Sequence, residues 1–256
     1  MYQIDILVQG YPGRAVCHGG LGWSTSTLLR AADRKILVDV GAFGIRHLLN
    51  KQLHACGVDA SEITDVVLTH AHYDHAVNFT LFPNATVWIG ELELDWASKQ
   101  PPGFNPLPEL YVRELTQLAR VKRLRHNEMF IPGITAIAAP GHTPGHLLFY
   151  MDDERQPVLF TGDAAKNRAE LISGRVVDTG DVAASQASVE QIWALWRRRP
   201  NTLLVPGHDV GMVLNDQGLP EYVSERHAAI NAWFGDDLEP MQIDLCCQPR
   251  LQRFSV

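Results

Sequence analysis

The sequence predicts an α/β fold, and two patterns lead to this prediction. Short apolar runs rich in valine, isoleucine and leucine alternate along the chain with stretches of helical spacing. Four of these apolar runs lead into a histidine or an aspartate, and functional sites of α/β proteins lie at such strand ends. No repeat, low-complexity segment or long linker interrupts the 256 residues, so we predict one domain over residues 1–256.

The first half of the chain is expected to begin with strands. Thr25–Leu29 and Lys35–Val40 predict a hairpin around a turn-like Ala-Ala-Asp-Arg segment, and Phe43–Cys56 has helical spacing. Thr64–Thr69 predicts a buried strand, with a helix starting near Tyr73. The elements expected after it are a strand over Thr86–Ile89, a helix over Glu91–Lys99, a proline-rich loop over 101–108 and a helix over Glu109–Ala119.

The second half is expected to contain strands and two longer helices. Ser185–Arg199 predicts an amphipathic helix that Ser185 caps and Pro200 ends, and Pro220–Phe234 predicts a terminal helix. The strand signals lie in Val121–Tyr150, Val158–Thr161 and Asn201–Val205.

Composition excludes several classes of function. A net charge of −7 and a pI of about 5.8 argue against a nucleic-acid partner, because proteins that bind nucleic acids usually have a basic surface. No apolar run is long enough to cross a bilayer, and the N-terminus has no signal-peptide pattern, so no membrane partner is expected. The four cysteines lack metal or redox spacing and are interpreted as plain thiols in a reducing cytoplasm: Cys17, Cys56, Cys246 and Cys247.

The chemistry is carried by the residues at the ends of four buried strands. The run Val66–Leu68 leads into Thr-His-Ala-His-Tyr-Asp-His, and the other three runs each lead into a glycine followed by a histidine or an aspartate. Such a glycine allows a sharp turn and a close approach to an ion. The candidate ligands are His70, His72, Asp74, His75, His142, Asp163 and His208.

These ligand types are typical of a hydrolytic metal site. Imidazoles and carboxylates suit zinc, manganese or iron, whereas a structural zinc favours thiolates. The alternating His70 and His72 can converge on one ion, and Asp74 and His75 can address a second. Two neighbouring ions need a bridging group, for which Asp163 is the candidate at a strand end.

The motifs THAHYDH, PGHTPGH, TGD and PGHD, in this order, resemble the metallo-β-lactamase superfamily over about residues 20 to 210. The resemblance implies an αββα sandwich with two divalent metal ions, zinc first and manganese or iron as alternatives. It implies that Asp39, in Leu-Val-Asp-Val-Gly, is buried and orients a ligand histidine. The implied ligand sets are His70, His72 and His142 for the first ion, and Asp74, His75 and His208 for the second, with Asp163 bridging.

The function implied is hydrolysis of a small molecule. A water between two cations becomes a hydroxide near pH 7 and attacks an ester or lactone carbonyl, with Asp74 as ligand and proton relay. The ligand set and a helical insertion at about 91–119 resemble those of acyl-homoserine-lactone lactonases. The insertion supplies four side chains that either wall an apolar pocket or pack together: Trp96, Phe104, Leu107 and Tyr111.

One position departs from the lactonase pattern, which has a tyrosine three residues after the bridging aspartate. Lys166 stands there, and with Arg168 it either holds an anionic substrate or lies on a surface helix. The alternatives left open are a thioesterase of glyoxalase II type, a phosphodiesterase and a mononuclear-iron sulfur dioxygenase, and a homodimer is also left open. His146 and Asp209 are candidates to support ligands, and the other histidines are interpreted as surface or core residues: His18, His47, His54, His126 and His227.

Overall fold

The computed structural model describes residues 1–17 and 20–246, so His18 and Cys247 lie outside the described residues. The chain divides into two units, Met1–Val223 and Ser224–Val256. One domain over residues 1–256 therefore stays a prediction, and each unit is described by itself.

The first unit contains two β-sheets, and the first sheet follows the order of the chain. Its antiparallel half holds the predicted hairpin, and its parallel half is connected through helices, as parallel strands require. Its six strands are β1 (Gln3–Val8), β2 (Ser26–Arg30), β3 (Lys35–Val38), β4 (Asp65–Val67), β5 (Thr86–Gly90) and β6 (Val121–Leu124).

The second sheet also follows the order of the chain. Its neighbours are antiparallel except for one parallel pair, the fourth and fifth strands, which both end at the site described below. Its seven strands are β7 (Glu128–Ile131), β8 (Ile134–Ala138), β9 (Leu147–Met151), β10 (Val158–Gly162), β11 (Leu203–Pro206), β12 (Met212–Leu214) and β13 (Pro220–Tyr222).

Helices cover the outer faces of both sheets. They are α1 (Arg46–Ala55), α2 (Tyr73–Ala76), α3 (Glu91–Ala97), α4 (Glu109–Gln117), α5 (Arg168–Ser173) and α6 (Val182–Trp196). Three short 3-10 turns accompany them at Phe43–Ile45, Ala60–Glu62 and Val77–Leu81. The helices predicted within 91–119 are therefore present as α3 and α4.

Three layers of apolar side chains give the unit its αββα architecture. On β2, Leu28 packs toward α1, α3 and α4, whereas the adjacent Leu29 packs between the sheets. On β8, Ala136 lies between the sheets and Ile137 packs toward α6. Successive side chains of a strand point to opposite faces, so these strands are apolar throughout because both of their faces are buried.

Two predictions were wrong, namely the start of one helix and the structural type of the segment after Pro220. The helix expected from Ser185 begins at Val182, because the side chain of Asp181 accepts a hydrogen bond from Ala184 N at 3.0 Å and caps it. Ser185 is instead a buried residue within the helix. The helix expected over 220–234 is absent, because Pro220–Tyr222 pairs with β12 as an edge strand, where a proline costs no ladder hydrogen bond.

The second unit contains an antiparallel pair of strands, β14 (Ala229–Ala232) and β15 (Met241–Asp244). Within it, Cys246 accepts a hydrogen bond from Ala228 N at 3.0 Å, and its thiol is free like those of Cys17 and Cys56. Over the part of the chain that the structure describes, a helix with the length and apolarity to cross a bilayer is not found.

Candidate metal centre

The four strand ends meet, and they bring together all seven predicted ligands. The side chains form three overlapping groups whose ligand atoms lie within 4.8 Å of one another. The groups are His70, His72 and His142; His70, His75 and Asp163; and Asp74, His75 and His208. These side chains come from the loops after β4, β8, β10 and β11, as the sequence predicted.

The first group consists of three imidazoles. Nε2 of His142 lies 3.0 Å from Nδ1 of His72, and the ring of His70 stands 4.5 Å from that of His72 between centroids. His70 is wholly buried, and its Nε2 has no hydrogen-bond partner among the described residues. We call this group the first subsite.

The second group consists of Asp74, His75 and His208, and we call it the second subsite. Nε2 of His208 lies 3.3 Å from Nε2 of His75 and 3.3 Å from Oδ2 of Asp74. The side chain of His75 is wholly buried, whereas that of Asp74 is 17% exposed. The three ligand atoms therefore face one another around a common centre.

Asp163 lies between the two subsites. Its Oδ1 is 3.2 Å from His75 Nε2 and 3.3 Å from His208 Nε2, and its Oδ2 is 3.3 Å from His142 Nε2. One carboxylate oxygen thus faces each subsite, which is the geometry required of a bridging ligand.

These distances fit divalent cations. A tetrahedral ion with bonds of about 2.1 Å separates its ligands by about 3.4 Å. The pair His72 and His142 in the first subsite is 3.0 Å apart, and the pairs in the second subsite are 3.3 to 3.7 Å apart. Lone pairs of imidazole and carboxylate that face one another in a buried site repel, and a cation at their centre removes this cost. The chemistry and the geometry of the donor set both suit zinc-like ions.

Two acceptors set the orientation of the ligand rings. Nδ1 of His75 donates to Oδ2 of Asp39 at 2.8 Å, which leaves its Nε2 free to face the site. Nδ1 of His142 donates to the backbone carbonyl of Asp178 at 2.9 Å, with the same consequence. Asp39 is itself held by Thr69, whose backbone N and Oγ1 each donate to it at 2.8 Å. Asp39 lies where its predicted orienting role requires.

Glycine is required next to two ligands. Gly141 has a φ of +135°, outside the range that other residues adopt, and a Cβ there would overlap Ser185. A Cβ on Gly207 would overlap Oδ1 of Asp163. The backbones before His142 and His208 can therefore come this close only without a side chain.

The protonation of the two subsites differs. Burial lowers the pKa of His70 well below its usual value and lowers the pKa of His72 to about 3. Burial acts in the same direction on His75 and His208, but nearby carboxylates, Asp163 above all, outweigh it. They raise the pKa of His75 well above its usual value and that of His208 to about 9. The first subsite is therefore neutral near pH 7, whereas the metal-free second subsite carries protons.

Zinc binding at pH 7 is therefore expected to release at least one proton per chain. A metal binds neutral imidazole, so an ion in the second subsite must displace the proton of His208. Below pH 9, each proton that zinc displaces lowers the zinc affinity of that subsite by about tenfold per pH unit. Isothermal titration in buffers of different ionisation enthalpy measures the release, and identical heats in all buffers would contradict the prediction.

The four remaining candidates lie at different places. Oδ2 of Asp209, the residue after His208, accepts hydrogen bonds from the backbone N of Arg168 at 3.1 Å and from Oη of Tyr222 at 2.9 Å. Nε2 of His146, which is wholly buried, accepts a hydrogen bond from the backbone N of Asp163 at 3.0 Å, so His146 supports the bridging residue. Lys166 reaches the rim of the site, where its Nζ pairs with Glu170 at 2.9 Å and donates to a backbone carbonyl. Arg168 turns away, because its Nε donates to the carbonyl of Pro220 at 3.1 Å.

Sequence reasoning missed Glu93, whose side chain accepts hydrogen bonds from the backbone of the site's loops, and Asp178, whose backbone carbonyl accepts one from His142. Glu93 is wholly buried and accepts hydrogen bonds from the loops on both sides of the first subsite. Burial raises its pKa to about 7, against the effect of these donors. Asp178 acts through its carbonyl, for which no sequence pattern exists, whereas an acidic residue on the apolar side of helix α3 was a visible signal.

Two cavities open beside the metal centre. A cavity of ≈ 620 Å³ adjoins His72 and His142 and is mostly apolar, with Trp96, Phe104 and Pro106 in its wall. A second cavity of ≈ 580 Å³ adjoins Asp74 and His208 and is more polar, with Arg14, Tyr73, Lys166 and Asn167 among its lining residues. Of the four insertion side chains, Trp96 and Phe104 face the apolar cavity, whereas Leu107 and Tyr111 pack in the core.

Residues 19–208 match the family described as the metallo-beta-lactamase superfamily, which is about three quarters of the chain. The chain belongs to this superfamily. The resemblance seen in the motifs is therefore confirmed, and so is the α/β sandwich fold. The metallo-beta-lactamase match ends at His208, the last of the seven candidate ligands.

Relatives within the superfamily include lactonases. An N-acyl homoserine lactonase from Bacillus sp is 25% identical over 175 residues, which cover 67% of this chain and 66% of that protein. The N-acyl homoserine lactonase AttM from Agrobacterium fabrum is 27% identical over 187 residues, with 67% of each chain covered. The match thus spans about two thirds of the length of these relatives.

Solved structures show the same metallo-beta-lactamase fold. A Thermotoga maritima protein of metallo-beta-lactamase type aligns with a TM-score of 0.67 and 27% identity, over 82% of this chain and 98% of that one. AidC, a dizinc quorum-quenching lactonase, aligns with a TM-score of 0.65 and 20% identity, over 80% of each chain. The second likeness concerns the fold alone.

Proposed function

We propose that this chain is a metal-dependent hydrolase that opens the ester bond of lactones or related carboxylic esters. The observation that carries the proposal is Asp163, whose two oxygens each face one of two complete subsites. Such a pair of subsites is suited to holding two divalent cations, and we propose zinc, with manganese or iron as alternatives.

The residues around the centre have distinct roles in this reaction. Cations bound there would lower the pKa of a water and polarise the substrate carbonyl. Asp74 lines the polar cavity and is more exposed than Asp163, at 17% against 6% for the side chains. Asp74 is therefore the carboxylate placed to accept the proton of the attacking water and pass it to the leaving alkoxide. Asp39 and the carbonyl of Asp178 keep the ligand rings in place.

The cavities support an acylated lactone as the substrate. An acyl chain fits the apolar cavity beside His72 and His142, and the ring fits the polar cavity beside Asp74. Relatives named N-acyl homoserine lactonases support the same class. Lys166, in place of the tyrosine of those enzymes, is paired with Glu170, so its charge is largely compensated and it is not a free anion receptor.

The experiment is a substrate panel on protein whose metal content has been measured. Zinc-loaded enzyme is expected to hydrolyse N-acyl homoserine lactones faster than thioesters, phosphodiesters and simple esters. Metal-free protein in the same assay is the control. A preference for thioesters or phosphodiesters, or oxygen consumption with one iron per chain, would replace the proposal by the corresponding alternative.

Phe104→Ala is expected to raise KM about tenfold for lactones with a long acyl chain and to leave it unchanged for short-chain lactones. The ring of Phe104 lies in the wall of the apolar cavity, edge-on to Trp96 with 6.0 Å between the ring centroids. Removing this ring exposes the acyl chain of the substrate to water. Steady-state kinetics across an acyl-length series measures the effect. Phe43→Ala, a change outside the residues lining this cavity, is the matched control. Equal effects on short and long chains would contradict the cavity assignment.

Two further predictions are kept as proposals. We propose a cytoplasmic location, which the three free thiols among the described residues support. We also propose a homodimer, which light scattering on the purified full chain tests, since a single-chain mass would exclude it.

A further inference from the structure

Glu93 is a buried carboxylate outside the ligand set. It lies on α3, has no exposed surface and directs both oxygens at loop backbone and a hydroxyl rather than at the metal centre. Burying a carboxylate costs folding free energy unless its oxygens accept hydrogen bonds. Its position therefore needs an explanation in terms of what it holds.

Its three hydrogen bonds join the two loops that carry the first subsite. Oε1 accepts from the backbone N of Ala71 at 2.9 Å, and Ala71 stands between His70 and His72. Oε2 accepts from Oγ1 of Thr143, the residue after His142, at 2.6 Å. Oε2 also accepts from the backbone N of Gly145 at 3.2 Å. A single side chain thus connects all three imidazole-bearing positions.

Helix α3 contacts the loop that carries His142 through backbone atoms on both sides. A Cβ on Gly145 would overlap the backbone of Glu93, and a Cβ on Gly90 would lie 2.8 Å from the carbonyl of Gly145. Little space is left for the loop to move relative to the helix, so a displacement of the Glu93 side chain is transmitted to His142.

We propose that Glu93 is a positioning residue that sets the spacing of His70, His72 and His142 and thereby the metal affinity of the first subsite. This inference rests on the proposed metal-dependent hydrolase. The affinity of the second subsite is not expected to depend on Glu93, because His75 is oriented by Asp39, which Thr69 holds in place.

The test is Glu93→Gln, which keeps the size of the side chain. Both carboxylate oxygens accept hydrogen bonds, whereas a glutamine offers one acceptor and turns its NH2 group against a backbone N–H. Changes in residues that support metal ligands weaken affinity about 10- to 100-fold. We expect a loss of this size for one of two zinc ions, and less than threefold for the other.

The measurement uses zinc, in competition with a chromophoric chelator, on metal-depleted full-length protein. Histidine-ring ¹⁵N spectra at one and two equivalents of zinc identify which imidazoles hold each ion. Glu91→Gln, the same change on a partly exposed residue of the same helix, is the matched control and is expected to match the wild type. Circular dichroism verifies that both variants fold.

Unchanged affinities in a folded Glu93→Gln protein overturn the proposal, and so does an equal loss at both subsites. If Glu93→Gln does not fold, Thr143→Val removes only the hydroxyl donor to Oε2, and a loss confined to the first subsite is again required. Failure of the proposed function appears separately, as a wild-type protein that binds zinc but hydrolyses no lactone.

Discussion

Asp74→Asn is expected to lower kcat for lactones by about 10²- to 10⁴-fold. The amide keeps the shape of the side chain, but it has no charge to offer a cation and does not accept a proton near pH 7. Oδ2 of Asp74 lies 3.3 Å from Nε2 of His208 and faces the polar cavity, so both the ligand role and the proton-transfer role depend on this carboxylate. Steady-state kinetics with metal content measured on the same sample gives the result.

Excess zinc distinguishes the two roles of Asp74. If it serves only as a ligand, saturating zinc restores kcat, whereas a proton-transfer role leaves kcat low with both ions bound. Asp152→Asn, the same change on an exposed residue paired with Arg199, is the control and should have wild-type turnover. Wild-type kcat in Asp74→Asn without added metal would exclude both roles.

Removal of metal is expected to abolish hydrolysis and to lower the melting temperature. Without cations, the unprotonated imidazoles of His70, His72 and His142 face one another in a buried site, where their lone pairs repel. An ion present at a thousandfold excess over its Kd stabilises the folded state by about 4 kcal/mol. Calorimetry and activity after dialysis against a chelator, with elemental analysis, measure both effects.

Zinc or cobalt is expected to restore activity and melting temperature together. Magnesium is the control, because it prefers six oxygen ligands and retains its waters, so it fits neither a three-imidazole subsite nor a mixed one. A metal-free protein that keeps its hydrolytic rate would be incompatible with the proposed function.

Local sequence was sufficient for the parts of the site that depend on local geometry. A buried strand followed either by Thr-His-Ala-His-Tyr-Asp-His or by a glycine and a candidate ligand is a pattern a few residues long, and all seven candidates predicted in this way lie together. The same holds for Asp39, which follows β3 and reaches Nδ1 of His75 at 2.8 Å. The strand or helix type was also predicted for most of the first unit, because both faces of its central strands are apolar and the helices show a clear period.

Local sequence misled where pairing decides the structure. Pro220 is a typical first residue of a helix, and the spacing after it allows one. The segment instead pairs with β12, with Tyr222 opposite Met212, and Oη of Tyr222 donates to Asp209 at 2.9 Å. Helical periodicity does not show a strand partner six to ten residues earlier in the chain.

The sequence alone therefore determined the fold class, the family and the identity of the candidate ligands, because each depends on short patterns of residue type. Only the tertiary structure decided which groups hold those ligands in place. Glu93 lies 22 residues from one of its partners and 50 from another, and Asp178 lies 36 from His142. Contacts across such separations form when helices and sheets pack, and a carboxylate or carbonyl that acts through them leaves no local pattern.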